Sequence, residues 1–161
     1  IATLICQSLS QLRLNAQTEY SKIKGMNHSS FIADYYRLLP LCTDNKQFLF
    51  DFARLLHANG RYLDACAILR RGTMVSGDPM FHVLTGNSLR AMNKYDEAVE
   101  CYDRAFGMLP NRLYPLYRKM LLYKEIGDTA KARQVANKLL EVIPKVESSA
   151  TREMRKDAKD I

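Results

Sequence analysis

Three histidines, four cysteines and 17 acidic residues are the side chains from which this 161-residue sequence would have to build a base, a nucleophile or a metal centre. Their spacing builds none. A helix-borne metal site wants two ligands one turn apart, so that both reach the same ion. Neither His57 nor His82 has a carboxylate or a second histidine three or four residues further on. Cys6, Cys42, Cys66 and Cys101 form no CxxC pair, and none stands at ligand spacing from a histidine. They read as small buried apolar residues, and unpaired thiols lean toward a reducing compartment. A phosphate-cradling GxxxxGKS or GxxxxGKT loop, a GxGxxG turn and a GxSxG nucleophile elbow are all missing, as is any hairpin signal. No catalysis is therefore expected within these residues, and no cofactor or metal.

The elements around these residues are ordinary globular material. Hydrophobic residues make up 47% and charged residues 25%. No run approaches the roughly 18 apolar residues of a membrane span, and no basic-then-apolar leader is present. The first residue is Ile1, and we read the chain as part of a longer protein. Formal net charge is +7, concentrated between Arg112 and Lys138, where seven basic residues face two acidic ones, Glu125 and Asp128. Such a surface favours acidic partners or is simply a solvated helix face. Nucleic acid is not expected as a partner.

What organises the chain is a repeat. Asn93-Lys94-Tyr95-Asp96-Glu97-Ala98 is preceded by Gly60-Arg61-Tyr62-Leu63-Asp64-Ala65 and followed by Gly127-Asp128-Thr129-Ala130-Lys131-Ala132. Pro110 and Pro144 are 34 residues apart. A period near 34 residues marks a helix–turn–helix repeat. Within residues 79–112, Gly86, Tyr95, Ala98, Tyr102, Ala105 and Pro110 match the tetratricopeptide pattern, while His82 and Thr85 stand where Trp and Leu are usual. Residues 45–78, 79–112 and 113–146 thus resemble three tetratricopeptide repeats. A degenerate N-terminal helix pair over 1–44 precedes them, and a polar capping helix over 147–161 follows. The spacing predicts helices over 2–23, 29–39, 45–58, 61–75, 79–91, 95–108, 113–126, 128–142 and 148–160. Gly25, Gly60 and Gly127 close helices, and Asp128 and Ser148 or Ser149 open them. Pro115 falls in a first helical turn, where its missing N–H costs nothing.

The resemblance implies one all-α domain over 1–161, a right-handed superhelix of antiparallel helix pairs whose first helices line a concave groove. In that frame the groove receives Phe50, Arg54 and His57, beside Gln47, from one repeat. The next contributes Val83, Asn87 and Arg90, beside Met80. The third contributes Tyr114, Tyr117 and Lys124, beside Leu121. Aromatic and basic side chains together suit a peptide with apolar and carboxylate groups; the competing reading packs Phe50 and Tyr117 against neighbouring helices. Chaperone-binding members of the family clamp a carboxylate with a Lys and an Asn four residues apart. Here Asn87 supplies the Asn, but Val83 replaces the Lys, so that clamp is not expected.

Three segments carry a closer resemblance: Ser76-Gly77-Asp78-Pro79-Met80, the stretch Met108-Leu109-Pro110-Asn111-Arg112-Leu113-Tyr114-Pro115-Leu116-Tyr117, and Lys145-Val146-Glu147-Ser148-Ser149-Ala150-Thr151-Arg152-Glu153-Met154. Over residues 45–161 the chain resembles the soluble C-terminal tail of O-antigen ligase- or polymerase-like membrane proteins of Bacteroides-type bacteria. That resemblance implies a non-catalytic scaffold in surface polysaccharide assembly, attached to an inner membrane through a preceding part that carries the glycan transfer. It implies glycan-assembly machinery as a partner, in addition to a protein or peptide in the groove. Charge and free cysteines lean toward the cytoplasmic side. The alternative is a free-standing peptide-binding adaptor.

Overall fold

The computed structural model describes residues 2–161. Among them are nine α-helices and no strand. They are α1 (Ala2–Ile23), α2 (Ile32–Leu38), α3 (Lys46–Ala58), α4 (Tyr62–Val75), α5 (Met80–Ala91), α6 (Tyr95–Met108), α7 (Tyr114–Glu125), α8 (Thr129–Glu141) and α9 (Ser149–Lys159). The helices pack in consecutive pairs, α3 on α4, α5 on α6 and α7 on α8. The chain forms two compact units, one ending at Gly77 and the other spanning Asp78–Ile161. No helix among the described residues is long and apolar enough to cross a membrane.

The local chemistry of the repeat sets the helix ends. α3, α5 and α7 begin at Lys46, Met80 and Tyr114, a regular 34-residue register. Each is followed by a residue in the left-handed region, Gly60 at φ 74°, Asn93 at φ 61° and Gly127 at φ 79°. That conformation lets the chain reverse directly into the second helix of each pair. Asn93 adopts it in place of glycine, which short polar side chains tolerate better than most. The Asp128 side chain accepts from the Lys131 backbone N–H at 3.0 Å and starts α8. Ser148 and Thr151 form a reciprocal capping box that starts α9.

In the first unit the core is aromatic. Tyr35 lies against Phe52 with ring centroids 5.1 Å apart, and Tyr20 meets Phe48 edge-on at 5.2 Å. The Tyr20 hydroxyl donates to the buried carboxylate of Asp51, which also accepts from Gln47 Nε2 at 2.9 Å. Burial, reinforced by Asp51, holds the Tyr20 hydroxyl far above the usual tyrosine range. Burial likewise pushes Tyr35 up to about 12. The helix expected over 29–39 is instead a 3₁₀ turn (Ser29–Phe31), the short α2, and a second 3₁₀ turn (Leu39–Leu41). Pro40 sits in that last turn, where it has no N–H to continue an α-helical ladder. α1 buries Ala16 and Tyr20 only, leaving Leu4, Ile5, Leu9 and Leu12 exposed.

In the second unit Leu113, Leu116, Met120, Val135, Ala136, Leu139 and Ala158 form one core. Ala98 and Ala105 are fully buried on one face of α6, where small side chains admit a neighbouring helix. Gly86 does the same for α5. A Cβ there would lie 2.6 Å from Cε1 of Tyr102, so glycine is what lets the tyrosine ring close on the helix. Of the cysteines, Cys42 is buried, Cys66 and Cys101 are half-buried, and Cys6 is exposed. The last departs from the buried role expected of all four, because it lies on the N-terminal part of α1, whose described side chains are exposed.

Candidate functional site

Three helices of the second unit, α5, α7 and α9, lie side by side, since α5 packs on α7 and α7 on α9. α5 and α7 are first helices of their pairs, and α9 follows α7 where the next first helix would fall. Their shared face is tied together by side chains from these three helices and from α6. Asn87 Oδ1 on α5 accepts from Tyr102 Oη and from Arg118 Nε, both at 2.8 Å. The Tyr117 hydroxyl on α7 donates to Asp157 Oδ2 on α9 at 2.7 Å. Arg90 on α5 pairs with Glu125 at the end of α7. Burial raises Tyr102 above its ordinary ionisation range, although Arg118 and Arg90 pull the other way. Tyr117 is raised first by its bond to Asp157.

The expected groove residues fall into three groups. Asn87, Arg90, Tyr114 and Tyr117 are half-buried on this face, and Lys124 is exposed near its end. Val83 does not line an open surface: it is fully buried. It lies three and four residues before Gly86 and Asn87, on the stripe where α6 and α7 close over α5, and helical periodicity carries it into that contact. Phe50, Arg54 and His57 belong to the first unit, where they are spaced along α3. Arg54 is exposed and Phe50 half-buried, while the His57 ring stands edge-on to Tyr62 at 5.2 Å. His82 is half-buried, and burial with nearby Arg104 depresses its affinity for a proton. That favours a neutral packing residue.

Two residues that the sequence reading missed matter most here. Arg118 is half-buried and held through Nε by Asn87, which leaves its two Nη groups without an ion pair among the described residues. Its position four residues after Tyr114 puts it on the same helical face, a signal available in the sequence. Asp157 counts because α9 takes the place of a further first helix, a role hidden behind its polar, cap-like composition. Arg90 is not the free cation expected of it, since Glu125 neutralises it. Among the described residues no three acidic, histidine or cysteine side chains cluster as metal ligands.

The fold is an all-α tetratricopeptide helical repeat. Residues 82–111 and 116–145 each match a family model described as tetratricopeptide repeat. Among solved structures the chain is similar to one titled "Crystal structure of MamA protein", at 14% identity and a TM-score of 0.64 over 96% of this chain and 88% of that one. A second, "Crystal structure of MamA", aligns at 17% identity and a TM-score of 0.60 over 80% of this chain and 75% of that one. At such identities the likeness concerns the fold alone. No curated protein matches the sequence. Tetratricopeptide repeats in general bind protein partners and are non-catalytic.

Proposed function

We propose that this domain is a scaffold that holds an acidic segment of a protein partner on the face formed by α5, α7 and α9. The observation that carries this is Arg118. A guanidinium anchored through Nε keeps both Nη groups for a carboxylate, in a fork that needs little further ordering. Tyr114 stands one turn away to pack the partner's apolar atoms. The test is fluorescence polarisation of labelled Glu- and Asp-rich 15-residue peptides against the full chain. Arg118→Gln should weaken binding at least tenfold, since a hydrogen bond to a charged group contributes about 1.5–3 kcal/mol. Equal affinity for wild type and variant would sink this assignment of the face.

For its setting we propose the soluble C-terminal domain of an O-antigen ligase- or polymerase-like membrane protein, on the cytoplasmic side of a bacterial inner membrane. Support for this comes from the three segments around Pro79, Pro110–Tyr117 and Lys145–Met154, and from the basic stretch between Arg112 and Lys138. The glycan-assembly machinery would then supply the partner. The second reading is a free-standing adaptor, which the Arg118 face serves equally well. Hydropathy of the coding sequence upstream of Ile1 separates them. About ten apolar spans of roughly 20 residues each support the membrane setting, and a start codon without spans supports the adaptor.

A further inference from the structure

The second unit leaves apolar side chains uncovered at one edge. Met108 and Leu109, where α6 runs into α7, are exposed, as are Ile143 and Val146 between α8 and α9. Connectors are ordinarily polar, and scattered apolar residues mean little, but a contiguous patch marks a contact surface. Between these two connectors lies a cavity of about 380 Å³. Leu109, Leu113, Pro144, Val146 and Met154 wall it.

The mouth of the cavity is basic. Arg112 and Lys145 line it, and no carboxylate does. Neither makes an ion pair among the described residues. Glu147, the nearest acid in sequence, is engaged elsewhere: it accepts from Thr151 Oγ1 at 3.1 Å and lies 3.9 Å from Arg155. Leu113 caps α7 without a side-chain hydrogen bond, and Pro115 follows, so the partial positive charge of that helix end adds to the rim. An acidic group is thus the complement at the mouth and an apolar one in the interior. A second copy of this chain, itself at +7, is a poor electrostatic match.

We propose that this edge cavity is a second docking site, for a protein segment in which a bulky apolar side chain is flanked by Asp or Glu. The apolar side chain fills the space between Leu109, Val146 and Met154, and the flanking carboxylates pair with Arg112 and Lys145. With a volume of about 380 Å³ the cavity admits a large apolar side chain with room for its flanks. The site shares only Tyr114 with the Arg118 face and does not require that face to bind anything.

The experiment is a selection of random 12-residue displayed peptides on the full chain, followed by fluorescence polarisation of the enriched sequences. The expected consensus places Leu, Ile, Met or Phe next to Asp or Glu. Val146→Asp should weaken such peptides at least tenfold. Arg112→Glu with Lys145→Glu should do the same and shift preference to the Lys-flanked counterpart. Arg133→Glu with Arg71→Glu, exposed charge changes on α8 and α4, matches the net-charge change of the double edge variant and should shift affinity no more than twofold. Because all these positions but Val146 are charged surface residues, circular dichroism suffices to establish that each variant folds. If the edge variants keep wild-type affinity while Arg118→Gln abolishes it, the edge proposal is wrong and the Arg118 face stands. If the selection gives no acidic–apolar consensus, the edge proposal is wrong whatever the variants do. If no variant matters, both sites fail.

Discussion

Replacing Gly86 by alanine sets two effects of opposite sign against each other. In a helix interior alanine is favoured over glycine by about 1 kcal/mol. Against that, the new methyl would lie 2.6 Å from Cε1 and 2.9 Å from Cδ1 of Tyr102. That ring has little room to move: Tyr102 is 1% exposed, and its hydroxyl is fixed on Asn87 at 2.8 Å. Overpacking a closed core costs about 1–3 kcal/mol, and losing the hydroxyl bond adds about 1 kcal/mol. The net expectation is a destabilisation of about 2 kcal/mol, which urea denaturation followed by circular dichroism resolves. The decisive comparison is the same substitution in a Tyr102→Leu background. With the ring gone the methyl has space, only the helical preference remains, and Gly86→Ala should stabilise by about 1 kcal/mol. The coupling between the two sites is then about 3 kcal/mol, well above the error of a double-mutant cycle. A stabilising Gly86→Ala in the wild type, or an equal effect in both backgrounds, would refute the argument.

Three further outcomes follow from the same structure. Tyr20 and Tyr35 ionise above their unfolded value near 10, so folding favours their protonated forms; that stability is complete below pH 10 and is lost as pH rises, through about 12 for Tyr35 and higher still for Tyr20. Absorbance at 295 nm should show exposed tyrosines titrating first and these two only with alkaline unfolding, whereas a single titration near pH 10 in the native state would contradict it. Ser148→Ala removes half of a capping box and should cost about 1 kcal/mol. Amide exchange should accelerate in α9, which buries Ala158 alone, and not in α7. N-ethylmaleimide should label exposed Cys6 within minutes and buried Cys42 only on unfolding, because burial also raises the Cys42 thiol; mass spectrometry of the labelled peptides decides it.

Much of the helical plan was legible in the residues because its causes are local. Gly60, Gly127 and Asp128 act within one turn of their own backbone, so a left-handed reversal or a cap can be read from a few neighbours. Gly86 and Tyr102 are 16 residues apart; the repeat pattern marked both residues, but only the structure shows the ring closing on the glycine. The short second helix was less so: Pro40 was visible, but the 3₁₀ turns on either side depend on how the segment packs in the first unit.

The candidate site was legible only in outline. Helical spacing singled out Asn87, Arg90, Tyr114 and Tyr117, which lie half-buried on α5 and α7, and drew the fully buried Val83 in with them, since periodicity gives a direction but not what waits there. Whether Arg90 is free, which residue holds Arg118, and what Tyr117 bonds to were decided by groups 31 to 40 residues away in the chain. The sequence by itself determined that this chain winds into 34-residue helical pairs, because turns, caps and small residues act over distances shorter than one pair. Only the tertiary structure decided which charges are left for a partner. That depends on which side chains of α5, α7 and α9 come within hydrogen-bonding distance once the helices close, and a paired arginine and an available one look the same until then.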